Sequence, residues 1–194
     1  MPPTSNGALD SPALTDERLV AAYRESGEPS LVDELVRRHL PRVNALIFQM
    51  VLDESVADDL TQEAFLRALR GLGSFRGKST FATWLFRVAM NTAYSHLKRQ
   101  KNSPVQYRSD VPERESTQSG PDEAVLEAEL DEEIKEAMAE LPPDLRAAMA
   151  LTSFEGLDAK QAGEIEGCPP GTIYARVHQA RQRLRRRLEK WLSS

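Results

Sequence analysis

The sequence predicts an all-α protein: two small helical domains joined by a flexible acidic linker. Three observations carry this. Apolar residues recur at spacings of three and four behind helix-capping residues, and no stretch alternates convincingly like a strand. Residues 102–121 hold Pro104, Pro112, Gly120 and Pro121 among many Ser, Thr and Glu, a composition that cannot build a core and reads as linker. The charge is also blocked. Residues 64–108 carry nine lysines and arginines and no acid, residues 109–140 twelve acids against two bases, and residues 160–194 eight bases against three acids.

The elements follow in order. Residues 1–14 read as a flexible tail ahead of a first domain over 15–101. Thr15 caps a short helix to about Ser26, broken by Gly27-Glu28-Pro29. Ser30, with Asp33 three residues on, is expected to cap a second helix. Leu31, Leu35, Leu46, Phe48 and Met50 are its expected buried positions, and Pro41 a kink or break. Ser55 and Asp58 repeat the start signal for a third helix, stopped by Gly71 and Gly73. Leu72 to Ser79 is a loop, and a fourth helix runs from Thr80 to about Gln100. The second domain, 122–194, is helical throughout. Leu141-Pro142-Pro143-Asp144 interrupts it, Gly156 ends the next helix, and Gly167-Cys168-Pro169-Pro170-Gly171 splits the last two.

That last split is a candidate helix-turn-helix at about 159–178. Pro170 fits a first helical turn, where its missing N–H would be unpaired anyway. Ile173, Val177, Ala180, Leu184, Leu188 and Trp191 draw one apolar seam along the second helix. Gly163 provides a small residue where the two helices must cross, and Gly167 one that adopts positive φ. Ala162 and Glu166 stand where such motifs usually take bulkier apolar residues, which puts Glu166 at a domain edge. The arrangement offers Thr172, Tyr174, Ala175, Arg176, His178, Gln179 and Arg181 to a major groove. Gln179 suits adenine, and Arg176 or Arg181 suits guanine or phosphate. Arg183, Arg185, Arg186 and Arg187 continue the basic face. The alternative is a plain helical hairpin with solvated arginines.

In the first domain, Asp59, Gln62, Glu63 and Leu66 fall at i, i+3, i+4 and i+7 and share a face. An acidic face with one leucine can dock a basic helical partner; early acids also favour the helix dipole with no partner at all. The next segment interleaves aromatics with bases. Phe75, Arg76, Lys78, Ser79 and Thr80 lie in the loop, and Arg87, Asn91, Tyr94 and Lys98 form a polar edge on the following helix. Aromatic faces, backbone donors and nearby cations are what stacked or flipped bases need. The alternative is a connecting loop ahead of a helix with an aromatic core.

Other classes lack support. Cys168 is the lone cysteine, and His39, His96 and His178 are too widely spaced for a zinc motif, so no metal or cofactor is expected. No nucleophile–base pair appears. Gly77-Lys78-Ser79 lacks the first glycine and preceding strand of a phosphate loop, so an enzyme is not expected. No basic start followed by an apolar run marks a leader, and no apolar run reaches membrane length. A cytoplasmic protein without membrane insertion is the expectation.

Six segments together resemble a known family. Asp59-Leu60-Thr61-Gln62-Glu63-Ala64-Phe65-Leu66, Phe75-Arg76-Gly77 and Phe81 through Asn91 resemble region 2 of bacterial sigma factors. Leu141 through Arg146, Glu155-Gly156-Leu157 and Cys168 through Ile173 resemble region 4. A short chain with only these two regions resembles the extracytoplasmic-function (ECF) group of the sigma-70 family, in its RpoE-like branch.

The resemblance implies a promoter-specificity factor for RNA polymerase. Asp59, Gln62, Glu63 and Leu66 would bind the β′ coiled coil of core polymerase, with further contacts to β. Phe75, Arg76, Lys78, Ser79, Thr80, Arg87 and Asn91 would hold the separated strand of the −10 element. Gly171, Thr172, Tyr174, Ala175, Arg176, His178, Gln179 and Arg181 would read the −35 duplex. An anti-sigma factor acting in a stress response is a further expected partner. Tyr174, Ala175 and Gln179 depart from residues common in the family, so the preferred −35 sequence is expected to be its own. The rival reading is a helix-turn-helix regulator that does not associate with core polymerase; it leaves the aromatic basic loop without a task.

Overall fold

A computed structural model describes residues 14–102 and 121–192, without the side chains of 121–128, 190 and 192. Most of the expected tail, and 103–120 of the expected linker, lie outside the described residues. The helices are α1 (Asp16–Ser26), α2 (Pro29–Val51), α3 (Glu54–Gly71), α4 (Phe81–Asn102), α5 (Pro121–Ala139), α6 (Pro143–Met149), α7 (Ala159–Glu166), α8 (Pro170–Arg187) and α9 (Glu189–Leu192). A 3-10 turn, Leu72–Ser74, follows α3, and a π-type turn, Ala150–Phe154, extends α6. No strand occurs among the described residues.

Helix ends follow the local chemistry, with two corrections. Thr15 Oγ1 accepts the Arg18 N–H, and Gly27 (φ 69°) closes α1 with its N–H on the Tyr23 carbonyl. Ser30 does not cap α2. Pro29 takes the first helical position after Glu28, where it costs no hydrogen bond, and the Ser30 hydroxyl donates to the Glu28 carboxylate. Asp53, not Ser55, caps α3, its carboxylate accepting the Val56 N–H at 2.9 Å. The earlier residue wins because an ionised carboxylate bonds the backbone N–H more strongly than a hydroxyl does. Pro41 does not break α2. The helix runs on through it, with Pro41 exposed while Val43, Leu46, Ile47 and Met50 beyond it are wholly buried. Their burial, about 1.5–3 kcal/mol per side chain, outweighs the cost of one interior proline.

Helices α2, α3 and α4 pack around Leu46, Ile47, Met50, Ala64, Leu85, Phe86 and Met90. In the second domain, α6, α7 and α8 enclose Leu151, Ala162 and Ile173. These two sets are one apolar cluster. Helix α4 packs on α7, and α2 packs on α6 and the π-type turn.

A corner and a buried cation reinforce the junction. Leu52 ends α2 with φ 59°, a left-handed conformation uncommon outside glycine, and packs with Met138, Leu141, Leu145, Met149 and Ala180. Arg146, 7% exposed, donates to the carbonyls of Met50 (2.7 Å), Ala139 (2.6 Å) and Leu141 (3.2 Å). It ties α6 to the end of α2. Burial pushes its pKa down, yet a guanidinium keeps its proton inside proteins.

Candidate interfaces for nucleic acid and protein

The face on α3 begins with a pattern of burial. Leu60, Ala64 and Ala68 turn into the core. The opposite side therefore presents Asp59, Gln62 and Leu66, the last 53% exposed. Glu63 is half-buried and bonded to Arg67 at 2.5 Å. Exposed Leu69 extends this face by three residues; continuing the same helical spacing in the sequence would have found it.

Between α3 and α4 the chain leaves Arg76, Gly77, Lys78 and Thr80 exposed and Ser79 half-buried. Gly77 has φ 65°, a turn that a side chain would strain. Phe75 is a correction. It is 5% exposed, with ring contacts to Phe81 (5.8 Å) and Trp84 (5.5 Å). A ring packed on both cannot stack on a base, so Phe75 anchors the loop from below. Its aromatic type suited either task; only the fold separates them. Arg87 and Asn91 are exposed one turn apart on α4.

The helix-turn-helix is built as its sequence suggests, with one change of reason. Asp158 and Gln161 form a reciprocal capping box at the start of α7, and Gly167 (φ 69°) ends it. Gly163 is required by the turn rather than by a helix crossing. A Cβ there would stand 2.6 Å from the Cys168 carbonyl oxygen. Ile173 and Ala180 are fully buried along the α8 seam. Facing outward are Gly171, Tyr174 (69% exposed), Ala175, His178, Gln179 and Arg181, with Thr172 half-buried. His178 meets Gln182 at 3.0 Å on this outer side. Arg187 is a second correction. It leaves the expected basic face and bonds Glu133, Glu136 (3.0 Å) and Glu140 (3.3 Å) near and beyond the end of α5.

Arg176 is the outward candidate that is already engaged. It pairs with Glu166 (3.2 Å) and Asp144 (3.4 Å). Glu166 in turn accepts the Tyr94 hydroxyl from α4 at 2.8 Å. Burial and this carboxylate push the Tyr94 phenol well up. Burial also raises the Glu166 carboxyl, with Tyr94 and Arg176 opposing. Beside them Arg87 donates to the Glu164 carbonyl. Farther along, Arg42 bonds Glu155 at 3.0 Å while lying over the Phe86 ring at 4.9 Å. The α4 edge carrying Arg87 and Tyr94, with Asn91 between them, thus lies against α7. The pairings that cross between the domains, Tyr94 with Glu166, Arg87 with Glu164 and Arg42 with Glu155, join residues more than 70 apart in sequence, and no local pattern announces them.

Comparison with known proteins fits this geometry. A family model for Sigma-70 region 2 matches residues 35–103, and one for Sigma-70, region 4 matches residues 131–184. The chain is 34% identical over 185 residues to the RNA polymerase sigma-H factor of Pseudomonas aeruginosa, covering 91% of this chain and 95% of that protein. It is 36% identical over 180 residues to the ECF RNA polymerase sigma-E factor of Escherichia coli (strain K12), covering 89% and 93%. The sigma factor RpoE from Bartonella quintana, solved in complex with the anti-sigma factor NepR, superposes with a TM-score of 0.64 at 26% identity, over 81% of this chain and 96% of that one.

Proposed function

This chain belongs to the sigma-70 family, in its ECF group, and from that premise we propose how its surfaces divide the work of a sigma factor. As such a factor it binds core RNA polymerase and directs it to promoters. The α3 face of Asp59, Gln62, Glu63 and Leu66 docks on the polymerase, its acids meeting basic residues around an apolar contact. Arg76, Lys78, Ser79 and Thr80 of the loop, with Arg87 and Asn91, take the separated −10 strand. The outer face of α8, Gly171 to Arg181, reads the −35 duplex in the major groove. Binding energy on the extruded strand offsets the unpairing of a few base pairs. Every step is a binding step, and none uses a catalytic group of this chain.

The observation that carries this reading is the pairing of two nucleic-acid surfaces on one chain. A free regulator accounts for the helix-turn-helix but not for an exposed, acid-free loop beside Arg87 and Asn91. The packing of α4 on α7 represents the resting state, since it occupies Arg87 and ties Tyr94 to the carboxylate that holds Arg176. The related sigma factor solved with an anti-sigma factor supports an inhibitor of that kind for this chain. Action in the cytoplasm under stress control is part of the same proposal.

Run-off transcription from a closed duplex promoter, with purified core polymerase and with or without this protein, tests the reading. Start-site-specific transcripts that require the protein are the expected result. Duplex binding with no initiation would instead make it a regulator independent of the polymerase.

A further inference from the structure

Helix α1 precedes the segment matched by the region 2 model, and the division of work above gives it no task. Its polar side chains hold both ends of the loop between α3 and α4. Arg24 Nη2 donates to the Leu72 carbonyl at 2.5 Å and to the Phe75 carbonyl, and its Nε also donates to Leu72 at 3.2 Å. These carbonyls belong to the turn that opens the loop. At the other end, Glu17 Oε1 accepts the Phe81 N–H at 3.0 Å. That N–H is among the unpaired donors at the start of α4. Asp16 meets His39 Nε2 at 2.7 Å, and the His39 ring stands edge-on to Phe81 at 5.5 Å.

Between the two pins lie residues 76–80, exposed except for half-buried Ser79. A loop tethered at both ends by a rigid helix has little freedom left to lose when it orders around a ligand. The fork of a guanidinium spans two carbonyls at once, which a lysine ammonium on a flexible stem does not match.

We propose that Arg24 and Glu17 are positioning residues, holding loop 76–80 in the shape that receives the extruded base of the −10 strand. This rests on the assignment of that loop to the −10 element. Neither residue touches DNA in the proposal. Each acts through the backbone of the loop's ends, so its loss costs capture and base discrimination, not docking or duplex reading.

The test uses holoenzyme assembled with full-length protein. It measures affinity for a single-stranded −10 oligonucleotide, discrimination against one base change at the captured position, affinity for −35 duplex, and affinity for core. Arg24→Ala and Glu17→Ala are expected to weaken oligonucleotide binding about tenfold and to flatten base discrimination, with duplex and core affinity unchanged within about twofold. Glu17→Gln restores binding, because the amide oxygen still accepts the Phe81 N–H. Arg24→Lys does not restore it. Thermal melting verifies that each variant is folded, and loss of folded protein would lower all affinities together without altering discrimination. Normal capture by folded Arg24→Ala and Glu17→Ala, while Asn91→Ala is defective, overturns the positioning role and leaves the loop assignment standing. Normal capture by Asn91→Ala and by Lys78→Ala overturns the loop assignment itself, and the positioning role with it.

Discussion

The Tyr94 hydroxyl donates to the Glu166 carboxylate at 2.8 Å, joining α4 to the helix-turn-helix. Glu166 also holds Arg176 at 3.2 Å. One carboxylate thus links the two domains and engages Arg176, a proposed −35 contact. Tyr94→Phe removes the hydroxyl and keeps the ring. It is expected to weaken the closed packing by about 1 kcal/mol, a shift of roughly fivefold toward separated domains. Fluorescence transfer between labels on the two domains checks it. An unchanged transfer signal would show that the bond contributes nothing to closure.

The same carboxylate sets a pH dependence. Burial raises its pKa in the packed state, whereas in a separated domain it returns toward the ordinary 4.5. The packed state therefore binds the proton more tightly. Its contribution to closure is full below the ordinary value and is lost as pH rises through the raised one. Asp144 adds to the shift and Arg176 opposes it. The same transfer signal should report more closed protein as pH falls through the raised value, and Glu166→Gln should flatten that response.

Gly163→Ala tests the turn of the helix-turn-helix. The added methyl would stand 2.6 Å from a backbone carbonyl, which cannot swing aside as a side-chain tip can. A cost of about 1–3 kcal/mol in stability is expected, with loss of duplex binding. Gly171→Ala is the control for stability, since its Cβ meets open space. Melting curves for the two should differ clearly, and equal curves would remove the turn contact as the reason for glycine at 163.

The docking face is tested by reversing its charge. Asp59→Arg with Glu63→Arg costs little stability, since the Glu63–Arg67 pair is a surface ion pair worth at most about 1 kcal/mol. Binding to core polymerase should fall below detection while the melting temperature stays near that of the parent. Co-purification of the folded double variant with core would remove this face from the mechanism.

Much of this architecture was legible because it is written in near neighbours. The α1 cap at Thr15, the stop at Gly27, the buried side of α3 and the seam from Ile173 to Ala180 each depend on residues within a few positions. Boundaries failed where two local signals competed, as Ser55 with Asp53. Phe75 failed for a different reason: an aromatic beside bases suits a base or a core, and burial depends on Phe81 and Trp84 arriving through the fold. The engagement of Arg87, Arg176 and Arg146 by backbone and carboxylate groups was beyond local reasoning, because each set includes a partner that only the fold brings in: Glu164 for Arg87, Asp144 for Arg176 and Met50 for Arg146. Glu166 is the instructive case. Its polarity at a position suited to an apolar residue put it at a domain edge, though nothing in the sequence named Tyr94 across that edge.

The contact of α4 with α7 has a thermodynamic consequence. Arg87 is bonded across it to the Glu164 carbonyl, and Tyr94 reaches across it to the Glu166 carboxylate that also holds Arg176. Arg176 itself is paired within its own domain, so the two proposed reading surfaces are coupled through Glu166. In the proposed division of work, single-stranded −10 DNA and −35 duplex then favour each other's binding through that carboxylate by one common factor, whichever arrives first. A promoter bearing only one matching element receives none of that cooperativity. Discrimination against incomplete sites thus exceeds what the two reading surfaces would achieve on separated domains.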